Sequence, residues 1–109
     1  MIESYEDLYQ TVQAGIANYK QAADEAANIE FVKNDNGSCT MVNKDNGKKF
    51  VLMFARFGDE YKVGFAFYEP APFGGEGDVA WIEDLSNEEF SEKSVQILIA
   101  EHLIDDQVM

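Results

Sequence analysis

Cysteine, histidine and tryptophan each occur once in this 109-residue chain, proline occurs twice, and eight lysines and arginines face 21 aspartates and glutamates. These shortages exclude a good deal. The single cysteine, Cys39, allows no intrachain disulfide, which fits a reducing cytoplasm. With a formal net charge of −13 and a pI near 4.2, the chain has too few cations to grip nucleic-acid phosphates directly. An anionic membrane surface repels it for the same reason. No apolar run approaches the ~18 residues that a membrane span requires. The first ten residues, MIESYEDLYQ, are acidic and lack the apolar core of a signal peptide. The expectation is a cytoplasmic protein with no membrane partner.

Chemical motifs are equally scarce. His102 would serve as a general base only if Asp105 or Glu101 oriented it and a nucleophile stood nearby. The plainer reading is a histidine near a helix end, where its charge suits the dipole. Cys39 reads as a small buried hydrophobe rather than a nucleophile, and a Cys39–His102 dyad has no local signal. The two Asp-Asn-Gly stretches invite a calcium loop, but Val32 and Val42 fall where its first oxygen ligand belongs. Gly74 to Gly77 is no phosphate loop, since it is acidic and no Lys-Ser/Thr follows. Glu83, Asp84, Glu88, Glu89 and Glu92 would suit either a divalent cation or, more simply, a solvated helix start. No catalytic residue, cofactor or metal is expected.

Against these absences stands a composition that is 46% hydrophobic, enough for one core and a single domain over 1–109. The chain is organised around Lys48 to Tyr68, two apolar runs joined at Gly58-Asp59. A two-residue loop there, with Gly58 at the first position, suits a type II′ turn. It pairs Phe54 with Val63, Leu52 with Phe65 and Phe50 with Phe67 on one face. Val51, Met53 and Ala55 then oppose Ala66, Gly64 and Lys62 on the flatter face.

Upstream, Asn36-Gly37 and Asn46-Gly47 each read as a two-residue hairpin loop. Counting from them pairs Val32 with Met41 and Met41 with Leu52, and sets Cys39 beside Phe54. One face would carry Val32, Met41, Leu52 and Phe65, and the other Phe31, Val42, Val51 and Ala66. Asp78 to Ile82 adds a short fifth strand anchored by Trp81. The loop EPAPFGGEG precedes it, with Phe73 as a plug over the core.

Helices flank the sheet in sequence. Ser4 is an N-cap with Asp7 three residues on, and Leu8, Val12, Ile16, Tyr19, Ala23 and Ala26 recur at helical spacing. This predicts a helix from about Tyr5 to Ala27, packed on the sheet, with Gly15 permitting close contact. Ser86 and Glu89 form a capping box before a second helix, about Asn87 to Asp105, packing through Phe90, Ile97 and Ile104. Residues 94–100 also alternate like a strand, but the capping box favours helix. The fold class is α+β: an N-terminal helix, a four- to five-stranded antiparallel meander sheet and a C-terminal helix.

The acidic residues crowd the later part of the chain. Residues 1–56 hold 8 Asp/Glu and 6 Lys/Arg, a net of −2, whereas residues 57–109 hold 13 and 2, a net of −11. The candidate partner-binding residues are Glu76, Asp78, Glu83, Asp84, Glu88, Glu89, Glu92, Glu101, Asp105 and Asp106. A surface of this sign steers association with a basic protein groove and imitates a phosphate array; a generic solubility surface is the plainer alternative.

In size, acidity and want of motifs the chain resembles small phage-encoded anti-defence proteins, anti-CRISPR proteins among them. That likeness of class carries no residue roles. It implies a non-enzymatic inhibitor of a nuclease, CRISPR effector or other nucleic-acid-binding protein, acting by nucleic-acid mimicry in the cytoplasm of a bacterial host cell. The chain is also similar to type III secretion chaperones and toxin-immunity proteins, small acidic proteins of helix–sheet–helix order. Chaperones of that type are dimers with apolar grooves. A monomer and a homodimer both remain open.

Overall fold

A computed structural model describes residues 2–23, 26–69 and 79–104. Helix α1 spans Tyr5–Ala22, followed by strands β1 (Ile29–Lys33), β2 (Cys39–Asn43), β3 (Lys49–Phe57), β4 (Glu60–Tyr68) and β5 (Val79–Ser86). Helix α2 spans Glu92–Leu98 and continues into a π-helical turn, Ile99–Leu103. The strands form one antiparallel sheet in the order β1-β2-β3-β4-β5. Both helices feed the same core against one side of it, through Leu8, Val12 and Ile16 of α1 and Val95, Leu98, Ile99 and Leu103 after Ser91. The expected α+β architecture is therefore present, with all five strands.

The central hairpin has the register its turn dictates: Phe50 opposes Phe67, Leu52 opposes Phe65, and Phe54 opposes Val63. Gly58 has φ +64° and Asp59 stays at negative φ, as a type II′ turn requires. Phe50, Leu52, Val63, Phe65 and Phe67 are all buried on the helix-covered side.

The two Asn-Gly turns are longer than two residues, and this corrects the outer registers. In the first, Asn34 N–H bonds Ser38 O, Gly37 N–H bonds Asn34 O, and Gly37 takes φ +93°. This is a three-residue loop, a turn closed by a glycine in the left-handed region. The extra residue moves the register by one, so Phe31 and not Val32 opposes Met41. Because side chains alternate, β1 is flipped: Ile29 is buried and Val32 is exposed. In the second loop Asn43 N–H bonds Lys48 O and Gly47 N–H bonds Asn43 O, leaving four residues between the bonded pair Asn43 and Lys48. Met41 then opposes Phe50, and Cys39 opposes Leu52 instead of Phe54. A shift of two preserves the face, so Met41 and Cys39 still reach the core.

Helix α1 starts as its cap predicts. Asp7 N–H donates to Ser4 Oγ at 3.1 Å, and Glu3 N–H donates to the Asp7 carboxylate at 3.0 Å. It stops five residues short of Ala27. Ala23 is already extended, and Ala27 N–H donates to the Tyr19 hydroxyl at 3.0 Å, so Tyr19 receives the returning chain with its hydroxyl while its ring packs against the core as the stripe predicts. Gly15 makes a close contact, but with α2 and not the sheet. A Cβ there would lie 2.5 Å from Val95 Cβ.

The C-terminal half differs more. Strand β5 runs on to Ser86, because β4 continues far enough to pair Gly64 with Asp84 and Lys62 with Ser86. Glu83 and Asp84 thus lie on an edge strand, where charge is tolerated, and not at a helix start. The Ser86–Glu89 box closes a single turn: Glu89 N–H donates to Ser86 Oγ at 3.2 Å and Ser86 Oγ donates to the Glu89 carboxylate at 3.0 Å. The helix itself begins at Glu92, capped by Ser91 with Ser94 in the reciprocal role. This later start rotates the buried stripe to Val95, Leu98, Ile99 and Leu103, leaving Ile97 45% exposed. Residues 94–100 are helical, so the strand alternative is removed. The roles expected of Phe73 and of the Trp81 side chain fall outside the described residues.

Candidate acidic interaction surface

The carboxylate-rich flank is built on three consecutive pieces of backbone: edge strand β5, the turn at 87–89, and α2. The turn is held by tertiary contacts. Asn87 N–H donates to Tyr61 O at 3.0 Å, its side-chain amide donates to Ile2 O at 2.8 Å, and Ile2 N–H donates back to Asn87 O at 3.2 Å. Phe90 anchors the far side, buried with its ring 6.1 Å from that of Phe65. With Asn87 and Phe90 drawn inward, Glu88 and Glu89 point to solvent.

All six described candidates, Glu83, Asp84, Glu88, Glu89, Glu92 and Glu101, are exposed. They do not form one cluster. Asp84, Glu88 and Glu89 line an open groove of about 730 Å³ at the tip of the β3–β4 hairpin, together with Asp59 and Glu60. Among the described residues its one cation is Lys62, whose Nζ lies 3.6 Å from the Asp84 carboxylate. Glu88 also faces a second groove, floored by Ile2 and Phe90, with Glu92 and Lys93 at its rim. Glu92 accepts a hydrogen bond from the Asn18 amide at 3.3 Å, tying this rim to α1. Glu83 and Glu101 flank a smaller, more apolar groove over Phe65, Leu85 and Leu98. Glu76, Asp78, Asp105 and Asp106 lie outside the described residues.

Sequence reasoning missed Asp59 and Glu60 as members of this surface. Both sit at the hairpin tip, and only the β4–β5 register, with Lys62 opposite Ser86, brings that tip beside the 87–89 turn. Asp59 and Glu60 were legible as turn residues; their neighbours were not.

The remaining reactive groups are placed by packing. Cys39 is fully buried, and burial pushes its thiol up to about 12. It stays protonated at physiological pH, which suppresses the nucleophilic thiolate. His102 packs against the rings of Phe50 and Phe67 at centroid distances of 5.7 and 5.6 Å, with Nε2 4.0 Å from the Glu101 carboxylate. Among the described residues no three His, Cys, Asp or Glu side chains converge to hold a metal ion. Nor, among them, is any helix long and apolar enough to cross a membrane. No protein-family model matches the chain, and no curated protein or solved structure is significantly similar to it.

Proposed function

We propose that this chain is a non-enzymatic binder of a basic protein surface, acting in the bacterial cytoplasm as an inhibitor of a nuclease or other nucleic-acid-binding effector. The observation that carries this reading is the groove at the hairpin tip, where Asp59, Glu60, Asp84, Glu88 and Glu89 surround Lys62. Five carboxylates around one concavity set up a field that draws in cationic side chains, and a groove that binds nucleic acid is lined by such side chains. Mimicry of a phosphate array rests on the sign and concentration of these carboxylates and needs no catalytic groups.

The test is binding to a panel of purified basic nucleases at rising salt. Association slows by about tenfold or more as salt screens the field. The triple variant Glu88→Lys, Glu89→Lys, Glu92→Lys loses at least about tenfold in affinity. Affinity indifferent to both salt and charge reversal overturns the reading.

The second reading, a small secretion chaperone or toxin-immunity protein, draws support from the apolar side chains left exposed on the uncovered side of the sheet, Val32, Met53 and Ile82. A partner held there would bind more tightly, not less, as salt rises.

A further inference from the structure

Both helices lie against one side of the sheet, and no described helix covers the other side, where Thr40 is buried, Val51, Gly64 and Ala66 are half-buried, and larger apolar side chains are exposed around them. One row of that side crosses all five strands: Val32 opposes Thr40, Thr40 opposes Val51, Val51 opposes Ala66, and Ala66 opposes Ile82. The adjacent row carries Met53, Gly64 and Asp84. Val32 is 41%, Met53 45% and Ile82 72% exposed, three of the six large hydrophobic residues so exposed among the described residues. Relief across this face is uneven. Met53 and Ile82 stand out, while Gly64 and Ala66 between them leave a hollow.

The charge of this face is as informative as its apolarity. Among the described residues its ionised side chains balance in sign, with Glu30, Glu60 and Asp84 against Lys44, Lys49 and Lys62. Four of these form two ion pairs within the face, Glu30 with Lys44 at 3.8 Å and Asp84 with Lys62 at 3.6 Å. The chain as a whole carries −13. The hairpin-tip groove shares Glu60, Lys62 and Asp84 with this face, so a basic partner is drawn to the groove's rim at Asp59, Glu88 and Glu89 rather than to the balanced face itself. Two copies of this chain, by contrast, repel each other everywhere except where the charge cancels.

We propose that this side of the sheet is a self-association face, covered by the same face of a second copy. The pairing is isologous, and each copy supplies both projection and hollow: Met53 and Ile82 of one seat over Gly64 and Ala66 of the other. Two sheets stacked face to face lie ~10 Å apart, the spacing that such interdigitated side chains fill. Five strands ~4.8 Å apart and about six residues deep offer on the order of 500 Å² in plan, below the ~800 Å² per partner of a standard interface. The dimer is therefore reversible and concentration-dependent. It leaves Asp59, Glu88 and Glu89 of each copy at its rim, and the oligomeric state is measured without any basic partner, so failure of the dimer is distinguishable from failure of the proposed binding role.

Sedimentation velocity over a range of concentrations, at low and at high salt, tests this. The expected result is a reversible species of twice 12.3 kDa whose share grows with salt, because salt screens the repulsion between two acidic chains. Ile82→Lys and Met53→Lys each weaken association by at least about tenfold with unchanged circular dichroism. Glu88→Lys with Glu89→Lys leaves the dimer in place. A wild-type chain that stays monomeric up to about 1 mM at either salt overturns the proposal. So does a dimer that both lysine substitutions leave intact, or a monomer whose apolar-dye binding Ile82→Lys abolishes, which would assign the face to a different occupant.

Discussion

The two helices form for opposite reasons. Helix α1 has 18 residues and a cap drawn from its own neighbourhood, Ser4 and Asp7. It exceeds the ~12–15 residues below which an isolated helix is marginal in water. Helix α2 has only seven residues before the π-helical turn, too few to persist alone. Its far end is held by two side chains from the β2–β3 corner: the Asn43 and Asn46 amides both donate to Leu103 O at 2.8 Å. Helix α1 is thus a local structure docked onto the sheet, whereas α2 is a product of the sheet and of α1.

Gly15 is where that difference is most exposed to test. In α1 alone, Gly15→Ala is a gain of about 1 kcal/mol in helix propensity. In the folded chain the new Cβ would stand 2.5 Å from Val95 Cβ and 3.0 Å from Glu92 O, neither of which can swing aside. Overpacking of this kind costs about 1–3 kcal/mol and more when backbone must move. The expected net loss is about 2 kcal/mol, a fall in Tm of roughly 10 °C by circular dichroism. A rise in Tm would mean that the helices do not meet at this spacing.

The next test asks how far α2 depends on the hairpin corner. Asn43 is buried, and its side chain both donates to Leu103 O and accepts from Asp45 N–H at 2.9 Å. Asn43→Ala should cost about 2 kcal/mol and Asn46→Ala about 1 kcal/mol in urea unfolding. Because they share one acceptor, either amide alone keeps Leu103 O satisfied. Their joint removal orphans it, so the double variant should lose about 0.5–1 kcal/mol beyond the sum. Strict additivity would show that the two amides act on separate groups.

For α1 the corresponding substitution is milder. Ser4→Ala removes the cap and should cost about 1 kcal/mol, while Ser4→Gly should cost only a few tenths. The damage stays local: amide exchange should quicken in the first turn of α1 and not in α2.

The same contrast separates what was legible in the sequence from what was not. The central hairpin and the start of α1 were readable because their signals are local: a glycine at the first turn position, a serine before an apolar stripe. The flipped β1 was not, since Asn34-Asp35-Asn36-Gly37 and Lys44-Asp45-Asn46-Gly47 end alike and yet close loops of three and four residues. Distant partners accompany each length. The Tyr9 hydroxyl donates to Gly37 O at 2.6 Å in the first, and Lys44 N–H donates to Asn28 O at 2.9 Å in the second. Of the acidic surface, Glu83, Asp84, Glu88, Glu89, Glu92 and Glu101 were identifiable from charge density alone. The contribution of Asp59 and Glu60 required a strand register that no local pattern encodes.

Ile97 carries the smallest expected effect and the sharpest contrast between pattern and packing. The spacing Phe90, Ile97, Ile104 makes Ile97 the centre of an apolar stripe, and a core isoleucine cut to alanine or smaller costs about 2–5 kcal/mol. In the structure Phe90 precedes the helix, the stripe has turned to Val95 and Leu98, and Ile97 is 45% exposed. Ile97→Ser should therefore change stability by no more than about 0.5 kcal/mol, whereas Val95→Ala, at a fully buried position, should cost about 2 kcal/mol. Equal losses at the two positions would mean that α2 is rotated about its axis. The contact between Gly15 and Val95 would then be lost, and with it the reason for a glycine in the middle of α1.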